Sequence, residues 1–140
     1  MIELFVGLKI PDTTAITTFH TIERMGYSIK GVKREMYYKF NVDDAEKFSK
    51  KVGKVDVLVN ANKNNFSLEL KKEEGAVYIL VKDTDDKCES LLKTLHKLGL
   101  EIKSMEKGVL WALFVDSEKI AKEIASKLLF NENYQEIEIL

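Results

Sequence analysis

Leu4-Phe5-Val6-Gly7-Leu8-Lys9 and Val77-Tyr78-Ile79-Leu80-Val81-Lys82 have the same character at a spacing of 77 − 4 = 73 residues. In each, every second residue is apolar (Leu4, Val6 and Leu8; Val77, Ile79 and Val81), which puts three apolar side chains on one face of a β-strand. The likeness extends outward from these two stretches. Asp12 falls on Asp85, Phe19 on Leu92, Ile22 on Leu95, Met25 on Leu98 and Gly26 on Gly99. Further on, Ile29-Lys30 falls on Ile102-Lys103, and Phe40-Asn41-Val42-Asp43 on Leu113-Phe114-Val115-Asp116. The spacing then shortens, to 72 at Glu46-Lys47-Phe48 against Glu118-Lys119-Ile120 and to 71 at Asn60-Ala61-Asn62 against Asn131-Glu132-Asn133, as small deletions produce. One unit of about seventy residues is written twice.

Each copy opens with a strand, Ile2 to Ile10 and Ala76 to Asp83, whose apolar face should meet helices. Asp12 or Thr13, and Asp85 or Asp86, can accept hydrogen bonds from the free amides that begin a helix, and Pro11 disfavours helix before that point. Ala15, Phe19, Ile22 and Met25, matched by Cys88, Leu92, Leu95 and Leu98, recur three or four residues apart as one buried helical stripe requires. Gly26 and Gly99 then end the helices, because glycine accepts the left-handed conformation of a helix terminus. Residues 29–42 and 101–115 read as a hairpin or one bent strand, with a turn signal at Glu106-Lys107-Gly108. Second helices carry Ala45, Phe48, Val52, Val55 and Val59 in one copy and Ile120, Ala121, Ile124 and Leu128 in the other. Val55 to Val59 alone would pass for a strand, and the helix-forming character of its partner, residues 123–129, favours helix. Final strands follow at Asn65 to Leu70 and Gln135 to Leu140.

The order is an α+β plait of the β-α-β-β-α-β (ferredoxin-like) type, twice, with antiparallel sheets paired as a pseudo-dimer. The units are residues 1–70 and 76–140, joined by the charged linker 71–75. A unit this short is near the lower limit for a self-sufficient core, so the copies should share buried surface. Helices cover one face of such a sheet. Phe5, Tyr37, Tyr78, Leu80, Leu110, Ala112 and Phe114 point to the other, where a solvated sheet would carry polar residues. An apolar open face marks an interface, and these seven are the candidate site residues. The face is unequal: Tyr37, Lys39 and Asn41 stand where the second copy has Leu110, Ala112 and Phe114. The copies should pack sheet against sheet or join edges into one sheet, with the remaining apolar area used for a homo-oligomer, a dimer of tandem chains.

Charge narrows the partners. Twenty-two Lys and Arg balance 23 Asp and Glu along the chain, leaving no basic stripe for nucleic acid. No apolar run is long enough to span a bilayer, and the opening residues read as a strand rather than a signal segment, so the expected location is the cytoplasm. Cys88 is the single cysteine, which excludes an internal disulfide and a cysteine zinc cage. On a buried stripe it acts as a small hydrophobe.

His20 and His96 occupy different helix positions and read as solvated residues. Asp43-Asp44 and Asp116-Ser117-Glu118 open the second helices, where acidic groups cap amides and complement the dipole. Trp111, aligned with Tyr38, reads as core filling. With no phosphate loop and no nucleophile or metal motif, the expected catalytic, cofactor and metal residues are none, and a chain of this kind is expected to organise other proteins.

Lys127-Leu128-Leu129-Phe130-Asn131-Glu132-Asn133-Tyr134-Gln135-Glu136-Ile137-Glu138-Ile139 resembles the end of the PurS-type small subunit of phosphoribosylformylglycinamidine synthase, where an amphipathic helix leads through a short loop to a last strand alternating Glu and Ile. Val6-Gly7-Leu8-Lys9-Ile10-Pro11 resembles that family's first strand and turn, and residues 31–38 its Val-Arg-x-Gly-Lys-Tyr segment. The family's longer loop after the first strand is missing from both copies. The resemblance implies a non-catalytic subunit of a glutamine-dependent amidotransferase in purine biosynthesis, bridging glutaminase and synthetase subunits and assisting ammonia transfer. The tandem chain would be a covalent form of that family's dimer. The other reading is a small-molecule sensor, since amino-acid-binding regulatory units of the same strand-helix order pair through their sheets and bind ligand at the seam; the glycine-bearing loop such units carry after the first strand is absent at Pro11-Asp12 and Thr84-Asp85.

Overall fold

A computed structural model describes residues 1–84 and 87–140. Among the described residues six strands and four α-helices follow in the order β1 (Ile2–Leu8), α1 (Thr13–Arg24), β2 (Gly31–Asn41), α2 (Ala45–Val52), β3 (Asn64–Ser67), β4 (Val77–Asp83), α3 (Glu89–Lys97), β5 (Ser104–Phe114), α4 (Glu118–Ile124) and β6 (Gln135–Ile139), with a π-helical turn, Ala125–Leu129, extending α4. The fold is α+β, a single antiparallel sheet in the order β3-β1-β2-β5-β4-β6, in a plait-like arrangement consistent with the ferredoxin-like class.

Of the two ways the copies could pair, the structure takes the edge-joined one. Residues 29–42 and 101–115, readable as a hairpin or as one strand, each form one long strand, β2 and β5, and these two pair along their whole length. Glycine at 108 makes no hairpin there, because the ladder from β2 runs past it without interruption. The register is symmetric. Met36 pairs with Val109, and 109 − 36 = 73 is the repeat spacing, so a pseudo-twofold axis passes through that pair. Gly31 pairs with Phe114 and Asn41 with Ser104, which is the same pairing with the copies exchanged. The ladder is lengthened at both ends by equivalent bonds: the Lys30 amide donates to the Phe114 carbonyl at 2.9 Å and the Lys103 amide to the Asn41 carbonyl at 2.8 Å.

The helix layer is exchanged between copies. One core joins Leu4, Val6, Phe40, Phe48 and Val52 of the first copy to Cys88, Leu95, Leu100, Ile102 and Met105 of the second. The other joins Ile22 and Ile29 of the first copy to Ile79, Val81, Trp111, Leu113, Ala121 and Ile124 of the second. Thus α1 lies over the second copy's strands and α3 over the first copy's, and Ile22 and Leu95, equivalent in sequence, play equivalent parts. Leu4, Val6, Ile79 and Val81 sit under helices as the alternation requires; Leu8, at the strand end, is exposed.

Local chemistry sets the helix limits. Asp12 Oδ1 accepts from the Thr14 and Ala15 amides at 3.0 and 3.2 Å, capping α1. Asp44 and Ser117 cap α2 and α4 through the amides of Lys47 and Ile120. The equivalent caps expected at Asp85 or Asp86 lie outside the described residues; Cys88, buried, immediately precedes α3 in a left-handed conformation instead of lying on the helical stripe. Gly26 and Gly99, with φ of +95° and +87°, follow α1 and α3 as expected. The residues before them, Met25 and Leu98, stand just past the helices as their C-caps and are exposed rather than buried. The second helix of the first copy also differs from expectation. It stops at Val52, and Val55 to Val59 form hydrogen-bonded turns, with the Leu58 and Val59 amides donating to the Val55 carbonyl at 3.0 and 2.8 Å. Gly53 and the β-branched valines weaken helix there, while Leu58 and Val59 still reach the core.

The Asn-x-Asn loops are true structural repeats. The Asn60 side chain accepts from the Asn62 amide and the Asn131 side chain from the Asn133 amide, both at 3.0 Å. Asn64 and Gln135 side-chain oxygens accept from the Asn60 and Asn131 amides at 3.0 and 2.8 Å. These closed turns bring the chain back antiparallel into β3 and β6.

Candidate interaction surfaces

The helix-free side of the sheet gathers the predicted site residues. Phe5 of β1, Tyr37 of β2, Tyr78 and Leu80 of β4, and Leu110 and Ala112 of β5 form one apolar cluster, with Phe114 half-buried beside it. They do not form a bare face: Phe5 and Tyr37 are 2% exposed and Leu110 1%. Sheet order explains the cover. From β3 at one edge the chain must reach β4, four strand spacings away, about 19 Å. It crosses on the helix-free side in residues 69–76, so the charged linker, expected as a turn, is the middle of a strap. Leu70 and Ala76 pack on the cluster, and Leu140, just past β6, adds to the cover.

Polar ties fix the strap and the rim. The Glu73 amide donates to the Tyr78 hydroxyl at 2.7 Å. Lys33 Nζ lies 2.9 and 3.0 Å from the Glu73 carboxylate oxygens and 5.7 Å from the centre of the Phe114 ring. The Tyr37 hydroxyl donates to Glu3 Oε2 at 2.6 Å, and burial first, then the Glu3 hydrogen bond and charge, hold the phenol protonated far above the usual tyrosine range. Glu35, half-buried, has its carboxyl raised by burial and then by the charge of Glu73, with Lys33 opposing. On the outer strand β6, Glu136 and Glu138 lie 3.7 and 3.6 Å from Lys82 Nζ.

The helix side carries a second symmetric feature, missed in the sequence. Arg34 stands opposite Trp111 and Lys107 opposite Tyr38 in the β2–β5 register; Arg34 and Lys107 are repeat equivalents, as are Tyr38 and Trp111. The Arg34 guanidinium lies 5.9 Å from the Trp111 ring centre and its Nε donates to Asp12 Oδ2 at 2.7 Å. A cation and an aromatic exchanged across the pairing were visible in the aligned repeat, but only the register shows that they face each other. Trp111 is buried in the core, as read. His20 and His96 are exposed; His20 Nδ1 lies 3.5 Å from Glu23, and His96 Nε2 2.7 Å from the Ile102 carbonyl oxygen.

Asp12 thus has two tasks, and its carboxyl shows it. Burial would raise its pKa, yet the Arg34 hydrogen bond and charge and the Ala15 and Thr14 amides outweigh burial and lower it from 3.8. A carboxyl depressed on folding stabilises the fold fully above its unfolded value and loses that stabilisation as pH falls through the lower folded value. Asp12→Ala should therefore lower stability by about 1 to 2 kcal/mol at neutral pH. Urea titrations of the variant and the parent at pH 7 and pH 2.5 check this: the gap should narrow at the lower pH.

Between α2 and the loop after α3, a cavity of ≈ 30 Å³ is lined by Asp44, Lys47, Phe48, Lys51, Leu100 and Glu101; it has room for about one water molecule. Among the described residues no three His, Cys, Asp or Glu side chains are placed to hold a metal ion together, and no helix is long and apolar enough to cross a membrane. No family model matches the chain, and no curated protein matches it.

Proposed function

We propose that the chain is a non-catalytic, organising subunit of a glutamine-dependent amidotransferase of purine biosynthesis, acting in the cytoplasm, in which a dimer of small subunits has been made permanent by fusion. The observation that carries the reading is the β2–β5 pairing. Repeat-equivalent residues Met36 and Val109 meet on a pseudo-twofold axis, and each copy's first helix packs on the other's strands. This is the geometry of an isologous dimer, and it supports the kinship suggested by the PurS-like segments at both ends of the chain.

In this role the chain binds a glutaminase and an ATP-dependent synthetase together and helps ammonia pass between them. Fusion removes the concentration dependence of pairing and lets the two outer faces diverge toward different partners. The copies differ at Tyr37, Lys39 and Asn41 against Leu110, Ala112 and Phe114, on the side of the sheet that the strap crosses. Dimerisation of tandem chains belongs to the same proposal, and the strap over the helix-free face makes it conditional.

The test is reconstitution with the two larger subunits. With the chain present, glutamine and ammonia should both support amidation, and the three polypeptides should co-elute when glutamine and nucleotide are supplied. Without it, glutamine-dependent turnover should fall by at least about tenfold, roughly 1.4 kcal/mol in effective barrier, while ammonia-dependent turnover stays. Unchanged glutamine-dependent turnover would overturn the reading.

A further inference from the structure

The route of residues 69–76 follows from sheet order, but their sequence and ties go further than a connection needs. We propose that this strap is a displaceable cover, and that when it lifts, the helix-free sheet face pairs with the same face of a second copy of this chain. The inference rests on the tandem-chain dimerisation named in that reading and is argued from the strap's geometry; it would stand if the amidotransferase role failed.

The strap is lightly held. Residues 71–75 are all exposed; Glu73 ties them to Tyr78 and Lys33, and Glu69 is tied to the hydroxyl of Ser67 at the end of β3. The Lys33 and Glu73 side chains are 63% and 49% exposed, so solvent screens their pairing strongly. Its apolar anchors, Leu70 and Ala76, are only partly buried. Gly75 has φ of +83°, a conformation that gives the strap a sharp turn just before β4. The carboxyl of Glu35, half-buried on the same side, is pressed by the like charge of Glu73, a repulsion that lifting the strap relieves.

What it covers is large and apolar. Phe5, Tyr37, Tyr78, Leu80, Leu110 and Ala112 are each nearly inaccessible with the strap in place. Aromatic side chains bury roughly 150 to 250 Å² each, so uncovering part of this cluster exposes a patch on the order of several hundred Å², at the upper end of what a soluble monomer leaves open. The rim selects a second copy as the occupant. It carries both signs, with Glu3, Glu106 and Glu138 acting on Tyr37 and Lys33, Lys39 and Lys82 on the same side of β2 and β4. A copy turned by a twofold rotation can set the lysines of one face against the carboxylates of the other while the apolar centres meet.

Light scattering on the full chain and on the double variant Leu70→Ser/Glu73→Ala tests this. The parent is expected at its monomer mass of 16.1 kDa at micromolar concentration, and the variant at twice that mass, with self-association at least about tenfold tighter. A variant that stays monomeric to about 100 µM with its near-UV circular dichroism intact overturns the proposal, as does a parent already dimeric at about 1 µM. Should the variant unfold, hydrogen exchange on the parent decides. The Glu73 amide should exchange by local opening at least about a hundredfold faster than the amides of Leu80 and Leu110, and its exchange only with global unfolding overturns the cover.

Discussion

Residues 1–70 expressed alone will not fold as a monomer, and neither will residues 76–140. The reason is the exchanged helix layer. In the core over the first copy's strands, Leu4, Val6, Phe40, Phe48 and Val52 close against Cys88, Leu95, Leu100, Ile102 and Met105, all from the second copy. Without them, buried side chains of β1, β2 and α2 face water, and α1, whose Ile22 packs among second-copy residues, has nothing to lie on. β2 also loses its partner β5 and becomes a bare edge of eleven residues. A fragment of this size has little core to spare even when complete. Each fragment should show no near-UV circular dichroism signal and no cooperative thermal transition, and mixing the two in equal amounts should restore both. Cooperative unfolding of a lone monomeric fragment would show that the cores are separable after all.

Phe40→Ala should be the most damaging single truncation in the chain. Phe40 is fully buried, its ring is 4.9 Å from Phe48 and 6.1 Å from Tyr38, and it sits in the core that joins the copies. Removing a buried phenylalanine ring costs about 3 to 5 kcal/mol, the lost transfer free energy plus the cavity left behind. For a chain of this length that lowers the midpoint by about 10 to 15 °C. Because both copies share the core, the variant should still unfold in one transition by calorimetry, shifted as a whole. Loss of only part of the unfolding enthalpy at the lower temperature would mean that the halves melt separately. Leu128→Ala, at an exposed position on the π-helical turn, should change stability by less than about 0.5 kcal/mol and serves as the control.

Much of the architecture was legible because it rests on local rules. The alternation in Leu4-Val6 and Ile79-Val81 marks strands and their buried faces, Asp12 and Asp44 mark helix starts, and Gly26 and Gly99 mark helix ends. Val55 to Val59 were read wrongly for a local reason as well: analogy with the second copy outweighed the helix-weakening effect of Gly53 and three valines. The choice between hairpin and long strand for β2 and β5 was not local. A Glu-Lys-Gly turn signal is real in isolation, and it is overridden when ten neighbouring residues gain a full antiparallel ladder with the other copy.

The candidate face divides in the same way. Strand alternation was enough to place Phe5, Tyr37, Tyr78, Leu80, Leu110, Ala112 and Phe114 on one side of a sheet, because a side chain's face follows from its parity along the strand. That this side is covered could not be read from Lys71-Lys72-Glu73-Glu74-Gly75, whose composition is that of any exposed turn. The cover exists because β3 and β4 lie four strands apart, and strand order is decided by which edges pair.

The duplication itself was determined by the sequence, since equivalent residues recur in order at a nearly constant spacing. How the copies join was decided only in three dimensions. Pairing β2 with β5 satisfies two edges with one ladder, exchanges the first helices and compels the linker to cross the helix-free face. Those consequences are long-range, between residues such as Met36 and Val109 or Glu73 and Lys33, and local sequence carries no term for them.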